Sequence, residues 1–253
     1  MEGGGPDAVD PAWAPHTNRR RAAWRGLRET SYLPALILFS TFVGFGALTS
    51  QTGLSWLDTL FMSIFIFALP GQVVLVDEMA RGASVLTAAI AVSATGVRLL
   101  PMTVALLPMI RDKRVPKWME FAVAQFVAVT VWIESMRRAP AVPRHLRAAY
   151  MLGIVALLVP VSSCGAMLGY LLSAQLPPII AAALLFMMPL YFLLSMLISA
   201  RKLNDHAPIL LGLALGPVFH LLIPEFDLVL TGIVGGTVSF LLARYLARPR
   251  SRS

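Results

Sequence analysis

Long apolar runs separated by short polar breaks dominate the chain. Residues 32–50, 57–79, 84–110, 118–136, 148–173, 178–200, 207–223 and 227–247 are each mostly apolar, and a run of about 20 such residues crosses a bilayer core as a helix. A transmembrane barrel would show stretches of roughly ten residues alternating apolar with polar. The segment AAALLFMMPLYFLLSMLISA, Ala181 to Ala200, has no such alternation. The pattern predicts an all-α integral membrane protein, a polytopic bundle of about seven or eight transmembrane segments.

The first 30 residues differ in character. Residues 1–30 are Gly/Pro-rich and then basic, which predicts a disordered tail that buries nothing and leads into a short amphipathic approach. A single transport-type domain then fills residues 31–253. The charged stretch is long, the apolar run after it is full length and no small-residue cleavage site stands out, so the first helix is expected to be retained rather than removed as a signal.

Composition agrees with the pattern. The chain is 57% hydrophobic and 13% charged, against roughly 45–50% and 25% in soluble domains. The net charge of +8 comes from cations gathered at the ends of apolar runs, where topology charges belong, and it does not imply a nucleic-acid partner. A single cysteine, Cys164, excludes an internal disulfide and offers no metal cluster.

Cations also set the orientation. Arg19 to Arg21, Arg25 and Arg28 precede the first run, Arg81 follows the second, Arg201 and Lys202 follow the sixth, and Arg244, Arg248, Arg250 and Arg252 close the chain. Loops near Gln51–Thr52, Gln175 and Glu225–Asp227 carry no Lys or Arg, so both termini are expected in the cytoplasm. The loop RDKRVPK, Arg111 to Lys117, disobeys under strict alternation. Either the rule fails once, or residues 84–110 and 118–136 each enter and return as hairpins.

The candidate chemistry lies where polar residues interrupt apolar runs. Arg98, in TGVRLLP between Gly96 and Pro101, sits too deep for its side chain to reach either interface. A charge at the bilayer centre costs about 2.5–3.5 kcal/mol even on the lenient insertion scale. It is either a structural arginine paired with a carboxylate or a substrate site. Pro101 predicts a break there, and transporters bind ions at such breaks, where a half-helix N-terminus presents its N–H groups. A second break is expected at Pro70-Gly71 in FIFALPGQVV, with Gln72 either accepting from a substrate ammonium or tying two helices together.

Other polar groups have two readings each. Asp77 can pair with Arg81 and Glu134 with Arg138, both at i,i+4, or either can carry a coupling proton. His220, in LGPVFHLLIP, echoes the Arg98 motif and is a further candidate for proton or ion coupling. Pro70 with Pro189 and Gly96 with Gly216 lie about 120 residues apart, a hint of related halves.

The stretch GFGALTSQTGLSWLDTLFMSIFIFALPGQ resembles the start of the AzlC-like branched-chain amino acid permeases. The Arg98 region is similar to that family's Asn-x-Arg-His motif, with Gly96 and Leu99 at the outer polar positions. FVAVTVWIES stands where the family has Leu-Thr-Asp-Glu, retaining Thr130 and a later Glu134, and YMLGIVALL, GAMLGYLL and FMMPLYFLLSML keep its glycine and proline placement.

The resemblance covers about residues 32 to 247. It implies export of branched-chain or related small amino acids, driven by an ion gradient, across a bacterial inner membrane, with a small AzlD-type membrane partner and no cofactor. The lost polar positions point to a divergent substrate. GxxxxGK[ST] and HExxH are absent, so nucleotide hydrolysis and zinc proteolysis are not expected. The rival functions are a non-transporting scaffold or sensor subunit and a passive channel.

Overall fold

The computed structural model describes Trp13 and residues 17–97, 99–199, 203–222 and 227–246. Among them every regular element is helical: α1 (Arg19–Glu29), α2 (Tyr32–Gln51), α3 (Trp56–Phe65), α4 (Leu69–Ala80), α5 (Val85–Gly96), α6 (Leu99–Ile110), α7 (Lys117–Gln125), α8 (Val129–Arg138), α9 (Arg144–Leu171), α10 (Pro178–Ser199), α11 (Leu203–Leu222) and α12 (Asp227–Leu246). By length and composition α2 and α9 can each cross a membrane, and α5 with α6, bent by 55° at their junction, can make a third crossing.

The centre of the fold is the contact of α2 with α9, and glycine makes it possible. A Cβ on Gly46 would overlap the Ala166 carbonyl oxygen, and one on Gly169 would overlap that of Val43. Small residues at such crossings let two backbones touch, which substitutes for the hydrophobic drive that lipid does not supply. Gly44 accepts α10 in the same way, since a Cβ there would lie 2.7 Å from the Ala181 oxygen.

α1 is part of this packing. Gly26 lies against the Tyr150 carbonyl and Gly153 against that of Ala23, while the Trp13 ring meets Tyr150 edge-on at 6.1 Å and receives the Arg25 guanidinium at 4.2 Å. A segment expected to bury nothing therefore buries Ala22 and Gly26. The small residues at i and i+4 give the helix a face that fits α9.

Three apolar runs are broken rather than continuous. Residues 57–79 divide at Ile66–Ala68, 84–110 at residues 97–98, and 118–136 at Phe126–Ala128. The helix expected to begin after Pro101 begins before it, at Leu99, just as Pro70 falls in the first turn of α4. A proline there lacks only an N–H that would have no intrahelical partner anyway. The 120-residue echo does not mark equivalent elements: Pro70 opens α4 whereas Pro189 lies inside α10, and Gly96 ends α5 whereas Gly216 lies within α11.

Candidate functional site: a cavity between helix breaks

The breaks after α3 and α7 are built alike and touch each other. The Ala68 N–H donates to the Ile66 oxygen, and the Ala128 N–H donates to the Phe126 oxygen at 2.9 Å. Each helix then restarts, with Gln72 N–H donating to Ala68 O at 3.1 Å and Trp132 N–H to Ala128 O at 2.8 Å. Phe67 and Phe126 meet edge-on at 6.1 Å, and Phe67 stacks on Phe42 of α2 at 6.4 Å.

A helix that stops inside an apolar region leaves carbonyls without partners, and each needs a donor. Glutamines supply them at the end of α3. Gln125 Nε2 donates at 3.0 Å to Phe65 O, otherwise free among the described residues, and Gln72 Nε2 adds a second donor, at 2.7 Å, to Met62 O, which already accepts from the Ile66 N–H. Gln72 is fully buried and its Oε1 has no partner among the described residues.

A cavity of about 710 Å³ lies beside the breaks. Leu38 and Phe42 of α2, Pro70 and Val73 of α4, Val129 and Thr130 of α8, and Leu185, Phe186 and Phe192 of α10 line it. A second cavity of about 340 Å³ is lined by Phe65, Gly71, Gly96, Gln125 and Val127. Phe67, Ala68, Thr95 and Leu99 border both. The larger volume falls within the roughly 300–1,000 Å³ typical of small-molecule sites, which are apolar with a few placed polar groups.

The sequence candidates divide into three groups. Pro70 and Thr130 line the larger cavity, and Gly71 and Gly96 the smaller. Gln72 lies behind the wall on the α3 carbonyls, and Pro101 is exposed on α6. Arg98 lies outside the described residues, although its neighbour Leu99 borders both cavities.

The charged candidates lie away from the cavity walls. Asp77 forms an exposed ion pair with Arg81 at 2.8 Å. Glu134 is buried and pairs with Arg138 at 2.9 Å, while Ser31, just before α2, donates to Glu134 Oε2 at 3.4 Å and accepts from Arg138 Nη2 at 2.9 Å. His220 is in the last turn of α11. Among the described residues no three His, Cys, Asp or Glu side chains are grouped to hold a metal.

The Glu134 pair fastens α8 to the start of α2, and removing one partner strands the other. Arg138→Met is expected to lower stability by on the order of 3 kcal/mol. Thermal unfolding in detergent should show the loss, with much of it recovered in the Arg138→Met/Glu134→Gln double variant. Asp77→Asn is expected to change stability by about 0.5 kcal/mol or less, because an exposed pair is screened by water; the same unfolding assay checks it.

Three further positions hold this region together without a signal in the sequence. Gln125 and Phe67 hold the breaks together, and Arg147, buried at the start of α9, donates to Val142 O at 2.8 Å and Pro140 O at 3.2 Å. Arg147 stands among RHLRAAY, where it reads as another interfacial cation.

The described residues form an all-helical bundle with two or three helices able to cross a membrane and with interrupted helices beside an apolar cavity, the features of a helical membrane protein. Residues 34–176 match the AzlC protein family. The match takes in more than half of the chain, and the protein belongs to the AzlC family, a membrane-transport family rather than an enzymatic one. Neither a curated protein nor a solved structure matches it. The matched region runs from α2 to the end of α9, so it contains the central crossing and all three helix breaks.

Proposed function

We propose that this protein exports branched-chain or related small amino acids across a bacterial inner membrane, driven by a proton gradient and working with a small AzlD-type membrane partner. The observation that carries the reading is the cavity beside the breaks. Its walls are aliphatic and aromatic, with Thr95, Thr130 and irregular backbone as polar exceptions. An aliphatic side chain fits the walls, while the ends of a zwitterion need one cationic and one carbonyl-rich partner.

Arg98 supplies the cationic end, since a guanidinium offers a planar fork that matches a carboxylate. The carbonyls around Pro70 take the ammonium, and Gln72, with its Oε1 unpartnered behind the wall, joins them only if the wall at Gly71 opens. Glu134 serves as the coupling site only if its ion pair with Arg138 opens during the cycle. Both termini lie in the cytoplasm, with about seven or eight membrane-inserted segments.

Flux in proteoliposomes tests the function. With the partner co-reconstituted, leucine should accumulate against its gradient when a proton gradient is imposed, and isoleucine and valine should compete where lysine does not. Folded protein that moves no amino acid with its partner present would exclude the proposal, and flux that only equilibrates leucine would make it a passive channel.

A further inference from the structure

We propose that α3–α4 and α7–α8 are two re-entrant hairpins, one entering from each membrane face, whose breaks meet at mid-depth and wall the cavity from opposite sides. The inference rests on the membrane setting of the proposed function and is independent of the substrate.

One end of the molecule is fixed by a cluster of contacts. Arg138 at the end of α8 reaches Ser31 before α2, Arg147 at the start of α9 reaches Pro140 O and, at 3.4 Å, Met109 O near the end of α6, and Arg19 of α1 donates to Arg114 O in the loop before α7. Only residues 111–116 separate α6 from α7, so the start of α7 and the end of α8 share the end marked by the start of α9. These helices have 9 and 10 residues, about 14 and 15 Å at 1.5 Å per residue, each half of a hydrocarbon core about 30 Å thick. The chain enters by α7, turns at Phe126–Ala128 and leaves by α8 on the face it came from.

The other end is fixed as well. Ser50 and Ser173 hydroxyls are 2.6 Å apart, Thr59 donates to Thr49 at 2.8 Å, and Tyr170 donates to Leu54 O at 3.0 Å. These contacts join the end of α2, the start of α3 and the end of α9. From there α3 runs 10 residues inward and stops where Phe65 O meets Gln125.

The path of α4 follows from what comes next. In this arrangement α6 ends on the α1 face and α5 with α6, bent by 55°, makes one crossing, while Gln72 Nε2, reaching across the break to Met62 O at 2.7 Å, draws α4 back toward α3. The start of α5, and with it the short turn through Gly82 at φ 69°, lies on the face opposite α1. α4 ends at that turn, so α3 and α4 begin and end on one face.

Two independent regularities agree. α3 and α7 end at Phe65 and Gln125, and α4 and α8 begin at Leu69 and Val129, in both cases 60 positions apart; the repeated backbone bonds of the two breaks fall at the same offset. The hairpins also place Arg111, Lys113, Arg114 and Lys117 on the face of Arg19 to Arg21 and move Arg81 alone to the opposite face, where Asp77 pairs with it, so the balance of positive charge favours them. Irregular backbone is tolerated at such depth only where protein or a cavity covers it, and Phe67, Ala68, Val127 and Ala128 all border the cavities.

Cysteine accessibility tests the topology. In a Cys164→Ser background, Asn18→Cys and Gln51→Cys mark the two faces, and Ser84→Cys and Lys113→Cys are probed with a membrane-impermeant maleimide in sealed vesicles of each orientation. Ser84→Cys should label from the face of Gln51→Cys, and Lys113→Cys from the face of Asn18→Cys. Label at Ser84→Cys from the face of Asn18→Cys, or at Lys113→Cys from the face of Gln51→Cys, would overturn the proposal. Arg81→Cys and Arg114→Cys give the same two readings should either first variant fail to insert. Labelling reports sidedness whether or not the protein carries amino acids, so a failed flux assay and a failed topology are told apart.

Discussion

Replacing Gly46 or Gly169 with valine should leave almost no folded protein in the membrane. Each added side chain would meet a backbone carbonyl of the opposite helix, Ala166 for the first and Val43 for the second. A flexible side chain can turn aside, but here α2 and α9 must move apart along their whole contact. Overpacking costs about 1–3 kcal/mol where neighbours can adjust, and the rigid obstacle places these variants at or above the top of that range. Abundance in detergent extracts, read by fluorescence-detected size exclusion, should fall at least tenfold for both. Gly96→Ala is the contrast, since a Cβ there meets nothing within 4 Å, and its abundance should match the native protein.

Arg98→Ala should abolish leucine flux while leaving abundance within a factor of two. Arg98→Lys should recover little, because an ammonium presents a point charge where the proposed carboxylate contact needs two parallel donors. The loss of the proposed charge-assisted contact corresponds to a fall of 100-fold or more in flux, about 2.7 kcal/mol. If Arg98→Ala disappears from the membrane and Arg98→Ala/Glu134→Ala restores it, the arginine is structural. The Glu134–Arg138 pair makes that outcome less expected, since Glu134 already has a counter-ion.

The helical membrane class was legible because unbroken apolar runs leave no other way to satisfy the backbone. Two of the three breaks were legible from Pro70 and from the Gly96–Pro101 motif, with their borders displaced because proline fits a first turn. Proline alone was not decisive: Pro108, Pro160, Pro189, Pro208 and Pro217 lie inside continuous helices.

The break at Phe126–Ala128 carried no such signal. Phe-Val-Ala contains neither glycine nor proline, and what stops the helix there is tertiary, the Phe67–Phe126 contact and the Gln125 bond to Phe65. Its trace in the sequence is the 60-residue offset between IFAL and FVAV, too short to recognise before the two backbones are seen side by side. The proposed topology accounts for the RDKRVPK loop with one hairpin at 118–136, as the sequence allowed, and a second at α3–α4, where 57–79 reads as a single span.

The cavity as the solute's path is tested most directly by substrate protection at Thr130, which lines it on α8. In the Cys164→Ser background, Thr130→Cys is a small change of volume that should transport leucine. A small thiol reagent should then stop the flux, and saturating leucine should slow that modification several-fold, with lysine having no effect. Modified protein that still carries leucine at the unmodified rate, with labelling indifferent to leucine, would contradict the assignment of the cavity.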